Sequence, residues 1–190
     1  DHLALLIHNP ETISLMFNFS KQNKTSPEVY HSKGTQVYLN RIDIENLKGL
    51  ALSNARERVR LCSHHSGVEP VHEMFIVHPR GAYVRPHKHL KKIESMMVLQ
   101  GEVDYVTFDE QGGIESKLAM RDYSSGKIFY NSLRGEIFHS LLIRSEWLVF
   151  LEITQVPFKR EDTLYAEWSP PEEDSKEVNN FLCETEKAIM

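Results

Sequence analysis

Residues 81–101 read Gly-Ala-Tyr-Val-Arg-Pro-His-Lys-His-Leu-Lys-Lys-Ile-Glu-Ser-Met-Met-Val-Leu-Gln-Gly, with a glycine at each end, His87 and His89 one residue apart, and Glu94 five positions beyond His89. Imidazole and carboxylate at such short fixed spacing are the borderline and hard donors that hold a divalent metal ion. Side chains at i and i+2 on a strand share a face, so His87 and His89 point the same way, as do Tyr83 and Arg85. Glu94 has the opposite parity. The polar segment Leu90-Lys91-Lys92 must therefore turn the chain and return Glu94 on a neighbouring strand, so the stretch predicts a hairpin as well as a set of ligands.

A fourth donor has to come from another inward-facing strand. His139 is the best candidate, because Gly135-Glu136-Ile137-Phe138-His139-Ser140 is a turn running into an apolar strand. Three neutral imidazoles and one carboxylate leave a divalent ion with residual positive charge and open positions for water or a ligand. Fe, Mn, Ni and Zn all accept this donor set. His64, His65, His72 and His78 have no comparable spacing and read as ordinary, non-ligating histidines.

Outward from this stretch the chain is a succession of short β-type runs: Val59–Cys62, Glu73–His78, Ala82–His89, Ile93–Gln100, Glu102–Phe108, Ile114–Met120, Lys127–Tyr130, Ile137–Ile143 and Trp147–Thr154. Pro79-Arg80-Gly81, Gly101, Asp109 to Gly113, Ser124-Ser125-Gly126 and Arg144-Ser145-Glu146 supply the turns. Many short strands without helices between them predict an antiparallel sandwich or barrel. Before them, Ile44, Leu47, Leu50 and Ala51 fit one short helix with Asp43 as N-cap, ended near Ser53-Asn54. After Pro170-Pro171, an acidic start and Val178, Phe181, Leu182 and Ile189 predict a C-terminal helix. Ile13 to Phe19 alternates like a strand, and the polar run Ser20 to Lys33 reads as a linker. The expected division is an extension over residues 1–34, a barrel over 35–170 and a helical tail over 171–190.

The 190 residues suffice for one domain with a sizeable core. A net charge of -5 with interspersed signs offers no basic face for nucleic acid. The apolar run Leu3 to Ile7 is too short for a signal segment or a membrane span. Cys62 and Cys183 fit no C-x-x-C pattern and read as unpaired thiols of a reducing compartment, which places the protein in the cytoplasm.

The run from Gly81 to Gly101 resembles the first cupin motif at every motif position. Gly126 to Ile143 resembles a degenerate second motif, with Ser132 and Ile143 near the places of the usual proline and asparagine. More closely, the chain resembles WbuC-type cupin metalloproteins in Ser53 to His64 (SNARERVRLCSH), Tyr83 to Glu94 (YVRPHKHLKKIE), Gly135 to Ser140 (GEIFHS) and Trp168 to Glu173 (WSPPEE). The resemblance covers about residues 37 to 185. It implies a mainly β, antiparallel cupin (jelly-roll) barrel with one bound divalent metal, and an association with O-antigen gene clusters.

Two further residues are candidate catalytic groups. Arg85 is placed to pair with a substrate carboxylate or phosphate, or is a surface charge; Tyr83 is an acid or base of the same pocket, or packed core. Glu152, on the apolar strand with Leu148 and Phe150, orients a ligand histidine or meets Arg56, Arg58 or Arg60. Three functions fit these residues. The first is a metal-dependent isomerase or epimerase acting on a sugar or nucleotide-sugar intermediate of surface polysaccharide. The second is an iron-dependent oxygenase, and the third a non-catalytic module whose metal anchors a small anionic ligand. A homodimer is expected by analogy with other cupins.

Overall fold

The computed structural model describes Asn18 and residues 22–155 and 160–190. Twelve strands and two α-helices follow in the order β1 (Asn23–Ser26), β2 (Val29–His31), α1 (Arg41–Leu52), β3 (Val59–Cys62), β4 (Val71–Pro79), β5 (His87–His89), β6 (Ile93–Gln100), β7 (Glu102–Phe108), β8 (Ile114–Arg121), β9 (Tyr130–Arg134), β10 (Phe138–Ile143), β11 (Trp147–Gln155), β12 (Thr163–Tyr165) and α2 (Ser175–Ala188). They form a seven-stranded sheet, β1-β2-β3-β4-β11-β6-β9, and a five-stranded sheet, β12-β5-β10-β7-β8. β2 and β3 run parallel; the other pairings between these strands are antiparallel. The fold is the mainly β, antiparallel jelly-roll barrel expected from the pattern of short strands, flanked by a helix near each end.

Period-2 alternation sorts the side chains into layers. Met74, Ile76, Met96, Val98, Leu148 and Phe150 of the larger sheet meet Val103, Tyr105, Leu141 and Ile143 of the smaller in the inter-sheet core. On the outer face of the larger sheet, Tyr30, Val59, Leu61, Val77 and Val149 pack under Leu47 and Ala51 of α1. On the outer face of the smaller, Val106, Phe108, Phe138 and Leu142 are covered by Ile189, Phe181, Leu182 and Trp168, at and around α2. The central strands of each sheet are thus covered on both faces. Among the described residues no helix is long and apolar enough to cross a membrane.

Several sequence expectations are corrected. The helix starts earlier than its apolar spacing indicates. Asn40 is its N-cap, accepting from the Ile42 and Asp43 amides, and Asp43 is the reciprocal member of the capping box. The polar run read as a linker contains β1 and β2, which extend the larger sheet alongside β3. The run Ala82 to His89 forms a strand only over His87–His89. Pro86 has no N–H to give a ladder, and its carbonyl accepts from the Ala166 amide at 2.9 Å instead. The strand placed at Lys127 to Tyr130 lies at Tyr130–Arg134. The alternation at Ile13 to Phe19 falls, apart from Asn18, outside the described residues.

The largest correction concerns the turn after the histidines. β5 and β6 are not a hairpin: β5 pairs with β10 and β12, whereas β6 pairs with β11 and β9 in the other sheet. Leu90 to Lys92, with Lys91 at φ +58, carries the chain across the barrel. Glu94 therefore faces the histidines from the opposite wall.

Candidate functional site

The gap between the two sheets opens into a cavity of about 500 Å³. His87, His89 and His139 line one wall and Glu94 the other. β5 presents His87 and His89 on one face, and His139 of β10 is the register partner of His87. On β6, Glu94 shares the inward face with Met96 and Val98, and it is 8% exposed, while His139 is 2% exposed.

All three imidazoles are held by their outer nitrogen. His87 Nδ1 donates to the Arg85 carbonyl at 2.8 Å and His139 Nδ1 to the Ile137 carbonyl at 3.0 Å. His89 Nδ1 lies 3.0 Å from Thr163 Oγ1, which β12 brings alongside. At His87 and His139 the carbonyl makes Nδ1 the donor, so the neutral ring carries its lone pair on Nε2, the usual outer-sphere arrangement of a metal-ligating histidine. His89 Nε2 is 2.9 Å from Glu94 Oε2 and His139 Nε2 is 3.5 Å from Glu94 Oε1. Donors that share one ion at about 2.1 Å sit roughly 3 to 3.5 Å apart, so the spacing suits a common metal. His139 Nε2 is buried and makes no hydrogen bond, an orphan nitrogen that a metal would satisfy. The donor atoms of His87, His89, Glu94 and His139 all lie within 4.8 Å of one another.

The electrostatics favour a neutral His87 beside an ionised Glu94. Burial, then the neighbouring His139, lowers His87 to about 3. Burial alone would raise Glu94, but the His139 and His89 imidazoles beside its carboxylate hold it well below the usual carboxylate range. Burial also opposes charge on His139, yet the Glu94 contact raises it.

Of the other sequence candidates, Tyr83 is 8% exposed and packs edge-on against Phe181, with its hydroxyl donating to the Pro170 carbonyl at 3.0 Å. It does not line the cavity. With residues 82–86 outside any strand, the parity argument that aimed Tyr83 inward does not apply. Arg85 does line the cavity, but its guanidinium is engaged by Ser169 Oγ and by the carbonyls of Ala166 and Ser169, over the ring of Tyr165. Its role in the structure is to pin the 166–169 segment beside β5. Arg56 and Arg58 pair with Glu28 and Glu172 rather than with Glu152.

Three cavity residues were underrated or missed. Glu152 faces inward between its register partners Met74 and Met96, and among the described residues its carboxylate has no hydrogen bond or ion pair. Burial, then the Glu94 charge, pushes its carboxyl up to about 8. Arg60 also lines the cavity and has no carboxylate within ion-pair distance among the described residues. Tyr105 stacks on His139 with ring centroids 5.4 Å apart, and its buried hydroxyl lacks a partner. The lone carboxylate in Leu148 to Thr154 signalled Glu152; nothing in the pattern singled out Tyr105 from the core.

A family model described as "Domain of unknown function (DUF6016)" matches residues 39–120. No curated protein matches the sequence. Similar solved structures include the Lactobacillus farciminis oxalate decarboxylase formate complex, at 15% identity and TM-score 0.41, covering 51% of this chain and 27% of that one. A Shewanella oneidensis protein matches at 8% identity and TM-score 0.45, covering 56% and 72%. A recombinant oxalate oxidase in complex with glycolate matches at 11% identity and TM-score 0.46, covering 60% and 57%. The chain thus spans 27% of the decarboxylase and 57% of the oxidase.

Proposed function

We propose that this protein is a metal-dependent cupin enzyme acting on a small anionic substrate, and that the substrate is a sugar or nucleotide-sugar intermediate of O-antigen or surface polysaccharide formation. The observation that carries the metal is the convergence of three imidazoles, each anchored through Nδ1, on the Glu94 carboxylate inside the cavity between the sheets. The residues would hold one divalent ion, which would supply Lewis-acid polarisation of a substrate carbonyl or hydroxyl oxygen. The sugar assignment rests on the WbuC-like stretches and on a cavity whose volume lies in the range that suits a small ligand.

Around that position this chain contributes its own groups. Glu152, protonated at neutral pH, is a proton donor on the wall that also carries Glu94, and it returns to duty as a base once it has given up its proton. Arg60 supplies a guanidinium for a carboxylate or phosphate, the role first sought in Arg85. Tyr105 offers a hydroxyl in the cavity and its ring holds His139 in place. A proton-transfer group beside the ligand cluster favours catalysis over simple ligand holding.

Two measurements test this reading. Purified wild-type protein, assayed with keto-sugar nucleotides after reconstitution with Fe, Mn, Ni or Zn, is expected to turn over with at least one metal. Glu152→Gln is expected to lower kcat by about 10²- to 10⁴-fold without loss of metal. Absence of turnover with every metal, or a Glu152→Gln variant of unchanged kcat, would contradict it.

A further inference from the structure

The same cavity has a second group of soft and borderline donors, away from the four residues above. β2 and β3 run parallel with His31 and Cys62 in register, so both side chains leave the sheet on its inner face. His64 follows at i+2 from Cys62. The donor atoms of His31, Cys62 and His64 lie within 4.8 Å of one another, and all three residues line the cavity. Cys62 is 2% exposed and His64 6%.

Their hydrogen bonding is incomplete in a directed way. His31 Nδ1 donates to the His64 carbonyl at 3.2 Å, which leaves Nε2 as the lone-pair nitrogen. His64 Nδ1 is buried without a partner. His72 stacks on His64 with centroids 3.8 Å apart and also buries an unpartnered Nε2. Each unmet buried nitrogen costs about 1–3 kcal/mol. No carboxylate joins His31, Cys62 and His64 in the group.

We propose that His31, Cys62 and His64 form a second metal site, one that takes a thiophilic divalent ion of the zinc type. Thiolate with two imidazoles selects zinc or cobalt over the hard ions that carboxylates prefer. Tetrahedral coordination needs donors roughly 3.5 Å apart, so donors within 4.8 Å of one another close by at most about 1.3 Å. Three protein donors leave the fourth position facing the cavity. The site also gives β1 and β2 a purpose: they bring His31 to the edge of the barrel.

Cobalt titration of the metal-stripped full chain tests the proposal, because a thiolate ligand produces a sulfur-to-cobalt charge-transfer band in the near ultraviolet and an all-imidazole and carboxylate site does not. Wild-type protein is expected to show the band. A His87→Ala/His89→Ala variant and a Cys183→Ser variant should retain it, and Cys62→Ser should lose it. His31→Ala, on a half-exposed edge, should weaken the cobalt affinity read at that band by at least about tenfold even if Cys62→Ser folds poorly. No band in wild-type protein at excess cobalt, a band that survives in folded Cys62→Ser, or a His31→Ala variant of unchanged affinity would overturn it. Loss of the first site alone leaves this result standing, so the two assignments fail separately.

Discussion

Burial and the Glu94 charge keep the Glu152 carboxyl protonated up to about 8, against an ordinary 4.5. In the unfolded chain the same group ionises near 4.5, so between these values folding retains a proton that unfolding releases. Stability from this group is full below about 4.5 and is lost as pH rises toward 8. Glu152→Gln removes the effect, and its melting temperature should exceed that of wild type by a few degrees at pH 8 and by less at pH 5. Parallel pH profiles for the two proteins in thermal denaturation would show that Glu152 titrates normally. At His139, Nε2 has only the 3.5 Å contact with Glu94 Oε1, and the ring is fixed by Ile137 and Tyr105.

At the scale of elements, the chain reaches its site through turns and caps whose chemistry is local. Gly101 joins β6 to β7 at φ +96, and a Cβ there would stand 2.1 Å from the Trp147 carbonyl oxygen. Gly101→Ala should therefore destabilise by more than about 1 kcal/mol in urea denaturation, and an unchanged midpoint would refute the close approach. Asn40→Ala, which removes the N-cap of α1, should cost about 1 kcal/mol in the same assay; a cost near zero would mean that packing of Leu47 and Ala51 alone holds the helix. The strands that were legible, such as β6, β7, β10 and β11, are those of six or more residues bounded by turn signals. What stayed hidden was pairing. Parity shows that Glu94 must turn back toward His87 and His89, but it cannot distinguish a hairpin from a crossing between sheets, because both reverse the face. Residues 22–31 were obscured by composition, since β1 and β2, at one end of the larger sheet, carry the polar residues that also mark loops. The Pro86 break was visible in the sequence, where a proline without a donor argues against an interior strand.

For the whole molecule, two sheets covered by α1 and α2 leave the buried polar groups concentrated in the cavity between them. His78 is the clearest load on the fold in acid. Burial, then the positive Arg60 and Arg56, lowers it from 6.5 to about 3. A lowered histidine is neutral in the fold while the unfolded chain gains a proton below 6.5, so stability is full above 6.5 and falls as pH drops toward 3. The melting temperature should decline from pH 7 to pH 4.5, and His78→Leu should decline less. A flat profile in wild type, or an equal slope in the variant, would contradict this.

In the proposed metal centre, His87, His89, Glu94 and His139 would hold one divalent ion across the two walls of the barrel. Elemental analysis of untagged protein, wild type against His87→Ala/His89→Ala, tests it most directly, with far-ultraviolet circular dichroism to confirm the fold. The account predicts that the folded double variant has one metal equivalent per chain fewer than wild type. An unchanged metal content in the folded double variant would contradict it.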